Sequence, residues 1–552
     1  MWHAKPVRPE DVGWNLYAAC FTWGASMQEF ITVSTIPTNA YIAGLITEPA
    51  NPNPVRWDLT GPLKVYFDDT GFRAWTDAEK TAALNAFAEW QAVANISFEL
   101  TTVRADANIL QVLTNSDQYA GQTTAPADGV NPPTIEYSVF NGQFDYIQPG
   151  GDTYLTMVHE IGHAIGLYHP HSGTTFPGVT LNADQDTGDN ELNQQIWTVM
   201  SYAVGWTGQP RTTLDYGTGS GAMTFDIAAV QYLYGARAAE TGDNTYALPT
   251  VNQTGIGWDA IWDTGGTDTI SGAGATTSLT INLTAATLEG ANAGGYVSWV
   301  TGIEGGFTIA NGVVIENAIG GSGDDSITGN SANNAINGGA GTDSVIYTGD
   351  QSGYLVFTGS QGQTMVVDLT PSRDGKDSLT NVENLTFNGQ SISVSTAAVE
   401  PTDADGSAYQ VYRFYNTETG SHFFTTSLAE RNSVIENLDA LSYEGNAFDS
   451  NVTDANGTAV FRFYNTSNGV HFYTVSADEA ASIRQNLSNF QDEGIAYYAS
   501  ADDSNGGTAL FRFFNTTNGS HFFTVSEAER DNIIATLGHY NYEGVAFYVD
   551  LA

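Results

Sequence analysis

Between Thr156 and His171 the chain reads TMVHEIGHAIGLYHPH, and five of these residues have the types and spacing to do chemistry together. His159 and His163 are four apart, so on a helix they share a face and can turn two imidazole nitrogens toward one ion. Glu160 follows the first of them, where its carboxylate can reach a water held at that ion. Gly166 tolerates a left-handed turn, which ends the helix and lets the chain bring His169 back as a third donor. Three neutral imidazoles suit zinc and leave one of its four positions open, as in a catalytic rather than a structural site. A lone HExxH on an amphipathic helix would be weak evidence, but here five residues are specified over the eleven positions 159 to 169. Four of the nine histidines fall between residues 159 and 171, and His171 is expected beside the metal rather than on it.

This pattern resembles the long zinc signature of the metzincin clan. Thr198-Val199-Met200-Ser201-Tyr202 resembles the Met-turn that runs under the zinc histidines, and Met223 to Gly235 is similar to the helix closing a serralysin catalytic domain. On these residues the chain resembles a serralysin-type (RTX, metzincin-clan) zinc metalloprotease over roughly residues 38 to 396. The resemblance implies zinc on His159, His163 and His169, with Tyr202 as a further ligand that can swing away and stabilise an oxyanion. It implies Glu160 as the general base.

The totals fit such a protein. At 552 residues the chain is long enough for three or four domains with proper cores. Sixty-one acidic against seventeen basic residues give a net charge of −44. That balance argues against nucleic acid or anionic membranes and suits calcium held by carboxylates, while also serving plain solubility. Cys20 is the single cysteine, so no disulfide can form within the chain. Cys20 could latch the zinc as in some zymogens, but its neighbours Ala19 and Phe21 lack the flanking pattern for that role. No apolar run approaches the roughly 20 residues of a membrane helix, and the N-terminus lacks signal-peptide features. The resemblance implies export to the medium by a bacterial one-step exporter reading a C-terminal signal, which Val549 to Ala552 matches only loosely.

Residues 1–37 read as a short propeptide and 38–238 as the catalytic domain. Leu63 to Phe67 reads as a strand, and Thr76-x-x-Glu79 as a capping box for a helix burying Leu84, Phe87, Trp90 and Ala94. Residues 96–100 and 107–113 read as further strands. The resemblance implies that 107–113 is the sheet edge above the zinc, where an extended peptide could add as a strand.

After Gly235 helical patterns give way to Gly, Asn, Asp and Thr, and residues 239–398 form the next block. From Gly320 a nine-residue rhythm runs GGSGDDSIT, GNSANNAIN, GGAGTDSVI, which resembles the calcium-binding RTX repeat. Gly321, Gly323, Asp325, Gly339, Gly341 and Asp343 fill its ion-binding positions, and Ile327, Ile336 and Val345 its inward apolar ones. Glycine is expected there because the turn needs positive φ and exposes carbonyls to the ion. The middle repeat carries Asn330, Ala332 and Asn334 instead, so weaker or fewer calcium sites are expected there. Asp263, Gly265, Gly266 and Asp268 form a similar half-turn upstream, and resemblance adds Glu240, Gly242, Asn244 and Glu316 as calcium ligands. Without ions this stretch has too little apolar surface to fold. Residues 345–396 look like the β-sandwich strands that usually follow.

A linker at 399–408 leads to residues 409–552, which ordinary serralysins lack. VYRFYNTETGSHFFT, VFRFYNTSNGVHFYT and LFRFFNTTNGSHFFT start at Val411, Val460 and Leu510, and each continues through a helix-like segment to an aromatic-rich strand. Arg413, Arg462 and Arg512 recur in register, as do His422, His471 and His521, at spacings of 49 and 50. Such copies suggest a closed pseudo-threefold β-rich domain, since one repeat could not bury its aromatics alone. Arg, His and aromatics then form the repeated core; a glycan or cell-surface ligand is the alternative. A metal site from the three histidines would require them to meet on the axis.

The expected fold is thus multidomain α+β: a metzincin α/β protease domain, a calcium-binding parallel β-roll and β-sandwich, then the repeat domain. The expected function is secreted, zinc-dependent, calcium-stabilised hydrolysis of peptide bonds in extracellular proteins, by a monomer that neither binds nucleic acid nor enters membranes. The alternative is a calcium-dependent cell-surface or carbohydrate-binding protein with a vestigial protease domain.

Overall fold

The computed structural model describes residues 28–48, 52–124, 132–139, 144–397, 409–450, 457–503 and 507–550. Cys20, most of the segment read as a propeptide, the 399–408 linker and the last two residues lie outside them. Within the described residues no helix is long and apolar enough to cross a membrane. The chain divides into two compact units, one holding residues up to 348 with 379–391, the other 349–378 with 392 onward.

The first unit opens with β1 (Phe30–Thr32), α1 (Ala40–Ile46) and β2 (Val55–Trp57). Then come β3 (Leu63–Asp68), α2 (Asp77–Val93), β4 (Phe98–Leu100), β5 (Ile109–Thr114), β6 (Gly121–Thr123) and β7 (Thr134–Ser138). The helices α3 (Asp152–Ala164) and α4 (Thr224–Tyr234) follow. The expected capping box starts α2: Thr76 accepts from the Glu79 N–H, and Glu79 accepts from the Thr76 N–H. Its inner face buries Phe87, Trp90 and Val93; Leu84 is half-buried and Ala94 ends the helix. The indole of Trp90 donates to the Val158 carbonyl of α3, joining the two helices at a fixed height.

Strands β4, β3, β5, β7 and β6 form one sheet in that order, parallel except for β6. The expectation for residues 107–113 is therefore corrected: β5 lies between β3 and β7, and the edge strands are β4 and β6. The reason is legible in hindsight. Ile109, Leu110, Gln111 and Leu113 are buried on both faces, as in a central parallel strand, whereas Gly-Gln-Thr carries no apolar pattern at all.

Beyond residue 244 the first unit is built mainly of short parallel strands on two faces, with Ser298–Val300 antiparallel to both its neighbours. Thr245–Ala247, Thr269–Ser271, Asn317–Ile319 and Ala335–Asn337 pair in parallel on one. Leu279–Asn282, Ser326–Thr328, Ser344–Tyr347 and Asn384–Phe387 pair in parallel on the other. Ile327, Ile336 and Val345 point inward and are fully or almost fully buried, as their place in the nine-residue rhythm predicts.

In the second unit each of the three repeats folds alike. A central strand (Tyr409–Asn416, Thr458–Asn465, Thr508–Asn515) pairs antiparallel with a short hairpin partner and with a long closing strand. A helix between the last two starts at a serine cap, Ser427, Ser476 or Ser526. Val411, Phe424 and Phe448 of the first repeat share one core with Val460, Tyr473 and Tyr497, and with Leu510, Phe523 and Phe547. Equivalent positions meeting in one core is what a threefold arrangement of repeats requires.

Candidate metal centre

Helix α3 positions the reactive residues through its buried apolar side. Tyr154, Met157, Val158 and Ile161 are buried, and His159 and Glu160 come with them. The helix stops as expected at Gly166, whose φ is +106°, with the Gly166 N–H on the His163 carbonyl and the Leu167 N–H on that of Gly162. A Cβ at Gly166 would stand 2.4 Å from the Val55 carbonyl oxygen, so space demands glycine as well as conformation.

The turn delivers His169. The Nε2 atoms of His159, His163 and His169 lie 3.0 to 3.1 Å from one another. His159 Nδ1 lies 2.8 Å from the Val199 carbonyl oxygen and His163 Nδ1 2.8 Å from that of Leu167. Both rings therefore carry the proton on Nδ1 and turn an Nε2 lone pair inward. Three lone pairs converging at this distance repel unless a cation sits among them, and tetrahedral zinc with bonds of about 2.0–2.1 Å needs donors only slightly further apart. Burial, reinforced by His163, holds His159 at about 3, and burial holds His169 well below the ordinary histidine value, so both are neutral donors at pH 7. The donor set fits zinc, and it is the one such His/Cys/Asp/Glu group among the described residues.

Glu160 is buried against β6. Burial pushes its pKa up to about 8, against a hydrogen bond from Thr123 that lowers it, and a cation on the neighbouring histidines would favour the ionised form. Met200 is fully buried beneath the histidines, and a Cβ on Gly162 would stand 2.7 Å from its sulfur. The Tyr202 ring lies 4.6 Å from that of His169 and 5.6 Å from that of His159, and the residue keeps 38% exposure. His171 stacks on His169 at 5.0 Å with its rings nearly parallel, beside the metal-facing nitrogens rather than among them. Its buried Nδ1 has no hydrogen-bond partner among the described residues.

Sequence reading passed over the residues that hold this arrangement. Asp226 of α4 accepts from Thr198 Oγ1 at 2.6 Å and from the N–H groups of Val199 and Met223 at 2.7 and 2.9 Å. It stood inside the quoted helix motif, but only tertiary contact gives it that job. Gly121 and Thr123 carry no sequence signal, because the three-residue strand β6 has no apolar pattern.

The expected calcium residues gather at turns. Asp268 Oδ1 accepts from the Asn244 N–H, Glu316 Oε2 from the Asp268 N–H, Asp263 Oδ1 from the Gly265 N–H, and Glu240 Oε2 from the Asn244 amide. Burial raises Asp268, and Asp263, Glu316 and Asp243 raise it further, a crowding of anions that a divalent cation would relieve. Asn244 Oδ1 and Asp343 Oδ2 are buried without hydrogen-bond partners among the described residues, which suits oxygens meant for an ion. Asp325 and Asp343 stand in the first and third turns, the Asp325 N–H donating to Asp343 Oδ1, and Glu383, which sequence reading missed, accepts from the Asp343 N–H. Positive φ is found at Gly265, Gly266, Gly339 and Gly341 but not at Gly321 or Gly323. There the need is space: a Cβ on Gly323 would meet the Ser278 nitrogen at 2.4 Å. Gly242 lies in open space, but its carbonyl oxygen would stand 2.3 Å from a Cβ on Gly266.

The middle turn is different. Asn334 Nδ2 donates to the Glu316 carbonyl and to Asn330 Oδ1, both at 3.0 Å, and Asn330 Nδ2 donates to the carbonyls of Leu283 and Ile315. Side-chain amide protons occupy the inside of this turn, and its residues do not fit a cation.

The three repeat histidines do not meet. His422, His471 and His521 each face a glutamate of their own repeat, Glu444, Glu493 or Glu543, which also pairs with Arg413, Arg462 or Arg512. A shared metal site is thereby corrected to three separate Arg–Glu–His clusters.

The three imidazole nitrogens thus converge above the buried Met200 in an arrangement that can hold one zinc ion. Residues 227–404 match the family described as peptidase M10 serralysin C terminal, and residues 410–550 one described as a domain of unknown function (DUF5648). Metallopeptidase AprA of Pseudomonas marginalis is 32% identical over 293 residues, covering 48% of this chain and 57% of its own length. Serralysins of Photorhabdus laumondii subsp. laumondii and Proteus mirabilis are 34% and 33% identical, each over 48% of this chain and 56% of their own. The chain is thus related to the serralysin-type metalloproteases, carries their C-terminal family and adds a further C-terminal domain. It spans a little over half the length of the relatives it matches. The crystal structure of myroilysin aligns with a TM-score of 0.21 at 14% identity, over 32% of this chain and 85% of its own, too slight a likeness to argue from.

Proposed function

We propose that this protein is a secreted zinc endopeptidase acting on extracellular proteins, with residues 38–238 as catalytic domain and 239–398 as a calcium-stabilised roll and sandwich. The observation that carries this is the convergence of three Nε2 atoms within 3.0 to 3.1 Å, with Glu160 adjacent on the same helix. His159, His163 and His169 would hold the zinc, with Tyr202 at its side. When bound, zinc polarises a scissile carbonyl and lowers the pKa of water at the site to about 7.

The chain's own groups do the rest. Glu160 takes the proton of the attacking water on its carboxylate and returns it to the leaving amine. Tyr202 donates its hydroxyl to the oxyanion as the carbonyl becomes tetrahedral. Among the described residues strand β6 has a neighbour, β7, on one side only, and its other edge can pair with an extended peptide. Asp263, Asp268, Asp325, Asp343 and their turn partners would hold calcium, whose abundance outside the cell would complete folding after export. The relatives named above support the class of activity.

The test is hydrolysis of an unfolded protein in calcium, before and after phenanthroline and zinc re-addition, with Glu160→Gln alongside. Activity that chelation removes, zinc restores and the variant lacks by about a hundredfold or more, with its zinc retained, is expected. A folded, zinc-loaded, processed wild type without activity would overturn the reading.

A further inference from the structure

The edge strand β6 does more than border the cleft. Thr123 Oγ1 lies 2.8 Å from Glu160 Oε2 and 3.0 Å from the Glu160 carbonyl oxygen. Two residues earlier, on the same face of the strand, Gly121 lies against the same side chain. A Cβ there would stand 2.7 Å from Glu160 Cγ and 2.8 Å from Oε1. The carboxylate therefore passes beneath the strand at the one residue without a side chain, and its far oxygen meets a hydroxyl.

Glutamate has three side-chain torsions, and a general base works only within hydrogen-bond reach of the proton it takes. A helix fixes where Glu160 begins but not where its carboxylate ends. We infer that Thr123 is a positioning residue for Glu160: its hydroxyl anchors Oε2, Gly121 leaves room for Oε1, and Oε1 is thereby presented to the reacting water. Serine, threonine and valine distinguish the elements of this claim. Valine keeps the branched shape without the hydroxyl; serine keeps the hydroxyl without the branch. The single hydroxyl proton is shared between a carboxylate and a carbonyl, and the carboxylate is the stronger acceptor when ionised.

The inference rests on the peptidase reading, and one experiment separates their failures. Thr123→Val, Thr123→Ser and wild type are compared for kcat and KM on a fluorogenic peptide found to be cleaved by wild type, with zinc content measured on each. Thr123→Val is expected to lose roughly tenfold in kcat with KM and zinc unchanged, because a small displacement of a catalytic group is enough for that. Thr123→Ser is expected to restore most of it. An active wild type with Thr123→Val equal to it would overturn the inference and leave the peptidase reading standing. So would equal losses in both variants, which would mark a packing role, or a loss matched by missing zinc. A zinc-loaded wild type that cleaves nothing would take both down together.

Discussion

The imidazole of His159 is held from behind by the Met-turn, its Nδ1 standing 2.8 Å from the carbonyl oxygen of Val199. The N–H of the same Val199 is held by Asp226 at 2.7 Å, so one buried carboxylate, the backbone of one residue and one imidazole are linked in series into the site. The Met-turn is thus more than a floor. It orients a metal donor through a backbone group whose own position α4 sets.

Tyr202 packs edge-on against His169, with ring centres 4.6 Å apart, and its hydroxyl is assigned to the oxyanion. Tyr202→Phe keeps the packing and removes the donor. It is expected to lower kcat by about 10²-fold, as loss of one oxyanion donor does, with zinc content intact. Steady-state kinetics beside metal analysis would check this, and an unchanged kcat would remove Tyr202 from the mechanism.

Asp226 gives a pH dependence with a definite sign. Burial raises its pKa to about 7, although its hydrogen bonds to Thr198, Val199 and Met223 pull the other way. The unfolded value is about 3.9, so the folded state binds the extra proton between the two. This contribution to stability is complete below about pH 4 and is lost as pH rises through about 7. Asp226→Asn keeps an oxygen for the two N–H groups and does not titrate. Its stability relative to wild type is therefore expected to improve from about pH 5 to pH 8, followed by thermal unfolding in saturating calcium and zinc. Parallel profiles would refute the assignment.

The turn closed by Asn330 and Asn334 should ignore calcium. Asn334→Asp replaces donors by acceptors opposite the Glu316 carbonyl. In chelator the variant is expected to be less stable than wild type by about 1–3 kcal/mol, the effect of leaving such groups unpaired. Millimolar calcium should recover that difference by filling the turn. A variant insensitive to calcium relative to wild type would show that the turn cannot be converted by this one residue.

In the repeat domain Arg462 makes a two-pronged pair with Glu430 of the preceding repeat, both bonds 2.9 Å, and lies over Phe423. Among the described residues Arg413 pairs only with Glu444 of its own repeat. Arg462→Ala is expected to weaken the domain by about 2 kcal/mol, less than a fully buried pair because Glu430 is a third exposed. Arg413→Ala should have a smaller effect. Denaturant unfolding of the full chain, with zinc content as a control, would check the order; a reversed order would assign the seams wrongly.

The sequence by itself determined the chemistry that depends on local spacing. His159 and His163 share a helix face because they are four apart, Gly166 ends that helix because glycine alone fits there, and the nine-residue rhythm sends Ile327, Ile336 and Val345 inward. The repeats likewise announced a shared core through recurring aromatics. Tertiary structure decided whatever depends on which distant segments meet. Gly-Gln-Thr at β6 has no periodicity to mark it as the edge strand, yet pairing with β7 places it on Glu160. Asp226 and Glu383 look like any other acids until the N–H groups they accept from arrive from elsewhere in the chain. The repeat histidines recur in register, but register fixes only their place in each repeat; the strand pairing in each copy turns them to a local glutamate instead of to one another. Spacing is a property of a helix or a turn, while partnership across a fold is set by packing, which no single stretch of sequence contains.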